Sequence, residues 1–409
     1  MEYSREIELE GHIIDSGIMT RVFDTVIDLG GNFEILQFDV GKRKQDSSYA
    51  RLSVSAPDRE QLESMLSELH RHGARMPEVD DVKLESAEGD KIVPKGFYST
   101  TNHPTSVKFE GRWLPVEANE MDCLIVIDRE TKRALCTPMS KLHTGDWVVM
   151  GETGVRVTPP ERPRKVSSFE FMHGTVSSER PSETLIRKIA HEMVALKKTG
   201  GKIGIVGGPA IIHTRAAPAL AEIISKGYVD ALFAGNALAT HDIEYNLFGT
   251  SLGMNLDTGA LATGGHKHHI YAISEIIKAG SIRQAVEKGI LTSGIMYECI
   301  KHDVPYVLAG SIRDDGPLPD VITDTMEAQD AMRYYLKDLD MVIMIATLLH
   351  SVAVGNCLPS TVKTICVDIN PASVTKLMDR GTMQAIGVVS DAGAFLPLLA
   401  KHLDIESSK

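Results

Sequence analysis

From about residue 185 to the C-terminus, short apolar runs alternate with stretches of helical spacing, and this rhythm restricts the possible folds more than any other feature of the chain. The runs cover residues 202–206, 229–234, 306–308, 341–346, 364–367 and 386–389. Each is continuously apolar rather than alternating, as suits a strand buried on both faces of a parallel sheet. Helical spacing fills 216–226, 269–278, 325–339, 373–379 and 394–402. The alternation predicts a doubly wound, Rossmann-like α/β sheet over 185–409.

The first 95 residues follow another pattern. Strand-like alternation at 6–14, 33–40 and 50–55 is interleaved with helical spacing at 18–29 and 59–72, and a last strand is expected at 79–84. Gly30-Gly31 and Gly73 stop the two helices. The order βαββαβ predicts a ferredoxin-like α+β domain over 1–95, a type of module that regulates, dimerises or helps to bind amino acids. Between 96 and 184, short apolar runs (123–127, 147–150, 155–157) predict a small β module on the substrate side, and Pro159, Pro160 and Pro163 mark a linker.

The chain has 409 residues, 43% of them hydrophobic and 24% charged, enough for two or three globular domains with substantial cores. A net charge of −12 argues against nucleic acid or an anionic membrane as partner. Cys123, Cys136, Cys299, Cys357 and Cys366 form no CxxC and are odd in number, as expected of reduced thiols in a cytoplasmic protein. The acidic N-terminus does not read as a signal peptide, and the most apolar stretch, 341–347, is too short to span a bilayer.

Ligands of an open parallel sheet bind beyond the carboxyl ends of its strands, so the residues after each run carry the candidate chemistry. Gly207-Gly208-Pro209 follows the first run, where glycines let backbone approach a phosphate, although GIVGGPA is not GxGxxG and equally suits a tight turn. Gly235-Asn236-Ala237 follows the second, with Asn236 able to bond a ribose or an amide. Asp242 stands where it could cap a nearby helix, the commoner job for such an Asp. A further glycine-bearing turn, 249–253, contains Thr250. Asp368 ends a late run and can accept both hydroxyls of a ribose while repelling a 2′-phosphate, which favours NAD over NADP. Asn370 before Pro371 also reads as a helix cap, and Asp391 lies at the next strand end.

Gly264-Gly265-His266-Lys267-His268-His269 is the densest cluster. Adjacent histidines diverge on a helix and no HxxxH accompanies them, so no metal is expected. A lysine among cationic neighbours has a lowered pKa and can act as base or imine-forming amine; a basic helix start is the plain alternative. Gly265 and His266 join the expected cofactor contacts. The loop after 306–308 holds Arg313 between acids and is long enough to be functional.

The stretches FYSTTNHPTSV (97–107), EMDCLIV (120–126), GPAIIHT (208–214), AGNALATHDIEYNLFGTSLG (234–253) and SIRDDGPLPDV (311–321) carry a resemblance over nearly the whole chain. The chain resembles the archaeal-type ornithine cyclodeaminases, the family of the LOR/SDH bifunctional-enzyme conserved region. GGHKHHI (264–270) is locally similar to the lysine motif of deoxyhypusine synthases. What the resemblance implies is a bound NAD and conversion of L-ornithine to L-proline with loss of ammonia. Such chemistry needs a base for the ammonium and an anchor for the carboxylate. Lys267 and Asp242 are the acid/base candidates, and Arg112, Asn119 and Asp122 are weaker substrate contacts, the last two equally at home in turns. A homodimer or homotetramer is expected. Two alternatives stay open: another NAD-dependent amine enzyme of saccharopine, homospermidine or deoxyhypusine type, and a non-enzymatic amino-acid sensor.

Overall fold

The computed structural model describes residues 3–14, 17–41, 46–76, 80–158, 182–251, 254–255, 267–314, 316–380 and 385–408. The proline linker and Gly264–His266 fall outside the described residues. The chain divides into two compact units on either side of 159–181, with Pro359–Thr361 grouped with the first. No helix among the described residues is long and apolar enough to cross a membrane.

The first unit begins with β1 (Tyr3–Gly11), α1 (Ile18–Asp28), β2 (Asn32–Asp39), β3 (Ser48–Ala56) and α2 (Arg59–Arg71). The strands form an antiparallel sheet in the order β1-β3-β2. Every second residue of β3 is buried, as the two-residue side-chain period requires. Ala50, Leu52 and Val54 meet Val22 and Val26 of α1 and Leu62, Met65 and Leu69 of α2 in one core. Asp58 starts α2 by accepting a hydrogen bond from the Gln61 N–H at 2.8 Å.

The last strand of the expected βαββαβ order is β4 (Lys83–Ser86), and it pairs with a strand of a different sheet. Among the described residues, the place beside β1 is held by one bridge, in which Glu8 and Arg75 exchange backbone hydrogen bonds of 2.7 and 2.8 Å. Two residues after Arg75 the sequence has Pro77, whose nitrogen has no hydrogen to continue a ladder.

The second sheet contains β5 (Thr105–Phe109), β6 (Arg112–Glu117), β7 (Leu124–Asp128), β8 (Arg133–Thr137), β9 (Trp147–Met150) and β10 (Val155–Val157). Its order is β10-β5-β6-β8-β7-β9-β4. Val107, Ile125, Ile127, Val149 and Val157 fill one face and Leu124, Leu142 and Val148 the other.

The second unit contains α3 (Ser182–Lys198), β11 (Ile203–Gly207), α4 (Ala210–His213), α5 (Ala217–Ser225), β12 (Ala231–Gly235), α6 (Asn236–Phe248), the two-residue strands β13 (Thr250–Ser251) and β14 (Met254–Asn255), and α7 (His268–Ala279). It continues with α8 (Ile282–Glu287), α9 (Ile295–Lys301), β15 (Tyr306–Ala309), β16 (Val321–Ile322), α10 (Thr325–Leu336), β17 (Met341–Ile345), α11 (Leu349–Cys357), β18 (Lys363–Asp368), α12 (Pro371–Arg380), β19 (Ile386–Val389) and α13 (Ala392–Ser407). Seven strands lie in the order β16-β15-β12-β11-β17-β18-β19, and every pair is parallel. All five residues of β11 and of β17 are buried, which is why these segments read as unbroken apolar runs. From β11 the chain builds outward through β12, β15 and β16, then returns to lay β17, β18 and β19 on the opposite side. The β11/β17 boundary is therefore a topological switch point, the place where open parallel sheets commonly take their ligands.

Candidate active site

The switch point is built by close backbone approach. Gly208 donates its N–H to Ile345 O at 3.0 Å, and a Cβ on Gly208 would lie 2.0 Å from Ala346 O. Ala346 holds φ at +51°, in the left-handed region that a non-glycine residue occupies only under constraint. A Cβ on Gly207 would lie 2.7 Å from Leu238 Cδ1, and one on Gly235 would lie 2.8 Å from His350 Cε1. His350 leans on Thr347 through a 3.4 Å contact, and burial pushes its imidazole below the usual histidine range.

The other expected cofactor residues stand along the same edge in different employment. Pro209 precedes α4, and Ala237 is exposed in the first turn of α6. Asn236 is buried, and its amide ties the 311–318 loop to the head of α6: Nδ2 donates to Asp314 at 3.1 Å, and Oδ1 accepts from the Leu318 N–H and the Thr240 hydroxyl, both at 3.2 Å. At the end of β18, Asp368 Oδ1 accepts the Asn370 N–H at 2.8 Å, and Oδ2 has no hydrogen-bond partner among the described residues. Asn370 caps α12 through the Ala372 N–H, and Asp391 caps α13 through the Gly393 N–H.

Asp242 does not stand at an open site. Its carboxylate is fully buried and accepts the N–H groups of Ile295 at 3.0 Å and Met296 at 2.9 Å, closing the first turn of α9. Burial raises its pKa from 3.8 to about 6, against the pull of these two hydrogen bonds. Capping is its role here, for a helix far along the chain rather than for the local one.

Two residues on, Glu244 faces elsewhere, because helix positions i and i+2 do not share a face. It is fully buried, and its two oxygens organise a chain of polar groups. Oε2 lies 2.9 Å from His241 Nδ1, and Oε1 accepts the Thr250 hydroxyl at 3.0 Å. Thr250 Oγ1 is in turn 2.8 Å from His268 Nδ1. A hydroxyl has one hydrogen, so the Thr250 proton on Glu244 makes Nδ1–H of His268 the donor to Thr250. The Glu244 carboxylate likewise fixes the proton of His241 on Nδ1 and leaves the lone pair on Nε2. The rings of His213 and His269 flank His241 at centroid distances of 4.9 and 6.5 Å. His213 bonds Ser251 Oγ at 2.8 Å, and burial, with His241 beside it, lowers its pKa. Lys267 is exposed at the N-cap of α7, one residue before His268. Among the described residues no group of His, Cys, Asp and Glu could hold a metal ion.

His213, His241 and Glu244 went unnoticed in the sequence as site residues. The available signal was the i, i+3 spacing of His241 and Glu244, which puts both on one helix face. Buried, hydrogen-bonded carboxylate–imidazole pairs concentrate at catalytic centres.

The three expected substrate contacts belong to the first unit. Arg112 is exposed at the start of β6. The Asn119 amide holds the carbonyls of Thr101 and His103, fixing the 97–107 stretch. Asp122 turns the chain at φ +59° and donates its N–H to Thr100 O at 2.9 Å.

Comparison with known proteins matches both units. Residues 4–103 fit the profile of the LOR/SDH bifunctional enzyme conserved region, and 104–186 and 187–399 fit the first region and the Rossmann fold of the C-terminal part of the ArgZ-like arginine dihydrolases. A protein of Methanothermobacter thermautotrophicus named ornithine cyclodeaminase is 60% identical over 401 residues, covering 98% of each chain. The crystal structure of a LOR/SDH protein from Methanococcus maripaludis S2 is 56% identical with a TM-score of 0.75, over 81% of this chain and 99% of that one. The ternary complex of AgrE with ornithine and NAD+ is 42% identical with a TM-score of 0.55, over 100% of this chain and 58% of that one. The chain thus belongs to the archaeal-type ornithine cyclodeaminase family, whose mark is a LOR/SDH conserved region joined to an ArgZ-like Rossmann fold.

Proposed function

We propose that the chain converts L-ornithine to L-proline and ammonia with a resident NAD at the β11/β17 switch point. The residues present fit that cofactor. Gly208 lies so close to Ala346 that backbone, not side chain, would face a pyrophosphate, and Asp368 Oδ2 is available to a ribose diol. When bound, NAD supplies the reversible redox step at the substrate Cα, which leaves the overall reaction redox-neutral. The atoms balance: ornithine loses its α-amino nitrogen as ammonia and closes its ring through the δ-nitrogen.

The observation that carries this reading is the buried Glu244–His241 pair with its Thr250–His268 extension. Deamination requires a base to take protons from the substrate ammonium groups and an acid to release ammonia. His241 Nε2, backed by Glu244, is suited to both, and His213, kept neutral by burial, is a second acceptor. Lys267 is proposed to hold the substrate or to act as the adjoining acid/base group. Asp242, held by α9, is left to structure. Gly265 and His266 remain proposed cofactor contacts.

The test is proline and ammonia formation from L-ornithine without added NAD, with mass spectrometry of the ligand released from purified protein. Stoichiometric NAD and equal yields of both products are expected. Glu244→Gln should lower kcat by about 10²-fold or more while the protein stays folded. Release of no dinucleotide, or no proline from ornithine, overturns the reading. Unchanged turnover in Lys267→Ala removes that residue alone.

A further inference from the structure

A cavity of about 560 Å³ opens inside the first unit, between β1 and α2 on one side and β6 and the turn before β10 on the other. Its lining includes His70, Arg75, Trp113, Glu152 and Arg156. Three of its polar atoms stand out. Nε2 of His70 and the Nε atoms of Arg75 and Arg156 are all buried without a hydrogen-bond partner among the described residues. His70 itself is 7% exposed. The Arg156 guanidinium lies 4.0 Å above the Trp113 ring, and among the described residues it forms no ion pair. Among the described residues Arg75 pairs with Glu10 alone, at 3.6 Å, on a side chain that is 62% exposed. Burial and the charge of Arg75 press the Arg156 pKa down, against the opposing pull of Glu10. Glu152 is half-buried and forms no ion pair among the described residues. Burial pushes His70 down to about 4, so its ring is neutral at neutral pH.

Like charges and unpaired donors side by side are costly unless something of opposite charge joins them. A carboxylate meets two guanidinium groups with good geometry. An ammonium nearby would answer Glu152 and the ring nitrogen of His70. A volume of this size holds a small metabolite with room to spare. We propose that this cavity is a binding site for a free α-amino acid, its carboxylate between Arg75 and Arg156 and its ammonium against Glu152 and His70. All the lining residues belong to the first unit, whereas the glycine-lined sheet edge belongs to the second. It makes the N-terminal unit a receptor for a metabolite. The inference does not rest on the reaction proposed above.

Trp113 offers a direct readout, because the chain has only two tryptophans. In full-length Trp147→Phe protein, Trp113 emission is titrated with L-glutamate, L-proline and L-arginine, and with acetate and inorganic phosphate as simple anions. At least one amino acid should give a saturable change, with acetate and phosphate at least tenfold weaker. Calorimetry on protein without the tryptophan change should give the same affinity. Arg75→Gln with Arg156→Gln should weaken binding at least tenfold, and so should Glu152→Gln alone, which keeps the measurement available if the double variant does not fold. Lys267→Ala, in the other unit, should leave it intact. No saturable response to any amino acid, equal response to acetate, or loss in Lys267→Ala with retention in Glu152→Gln overturns the proposal.

Discussion

Gly208 has no room for one more carbon atom. An added methyl would sit 2.0 Å from a backbone oxygen, and backbone cannot rotate away as a side chain can. Gly208→Ala should therefore separate the β11 and β17 loops, lower stability by about 1–3 kcal/mol and weaken NAD+ binding at least tenfold. Thermal unfolding and a binding titration check the two effects; an unchanged affinity would show that the dinucleotide lies elsewhere. The glycines were legible because the need for close approach leaves one residue type. Asp242 was legible only as an acid beyond a strand, since the helix it caps begins over fifty residues later. Its raised pKa makes it a pH-dependent element. It contributes stability below its ordinary value of 3.8, and that contribution is lost as pH rises through about 6, up to about 3 kcal/mol in all. In Asp242→Asn this dependence should vanish. Urea unfolding at pH 7 and pH 4.5 should show the wild-type protein gaining on the variant at the lower pH, and parallel behaviour would contradict the assignment.

At the scale of elements, the strands of the second unit were visible because burial on both faces leaves unbroken apolar runs. The helix α11 was not, because apolar and small residues run all round it and give no stripe to detect. The first unit departs from the expected split motif at its last strand, where a short segment pairs with β9 rather than with β1. Pairing partners are a property of the whole sheet and cannot be read from alternation alone. The polar chain of the candidate site was hidden for a similar reason. It joins α6, β13 and α7 through side chains whose meeting depends on how these elements pack. Asn236 gives the element-scale prediction. Asn236→Ala takes away the partner of the Leu318 N–H and one of the hydrogen bonds to the Asp314 carboxylate, so the 311–318 loop should loosen at a cost of about 1–3 kcal/mol. Limited trypsin digestion should cut after exposed Arg313 several-fold faster in the variant. An unchanged rate would mean that Asn236 does not hold the loop.

Across the whole molecule, the two units have separate hydrophobic cores. A ligand that binds only the second should stabilise only the second. NAD+ at a hundred times its Kd should add about 2.7 kcal/mol to that unit and leave the unfolding of the first where it was. Calorimetry resolves the two cases, and a common shift would show that the units unfold as one. The order of the parallel strands has a consequence for how the enzyme comes into being. Gly208 and Ala346 meet across the middle of the sheet, although most of the second unit separates them along the chain. A ribosome must finish nearly the entire polypeptide before the first glycine turn has its opposing wall. A truncated product ending before β17 would carry every glycine of the early turns and still lack the opposing wall of the proposed dinucleotide site.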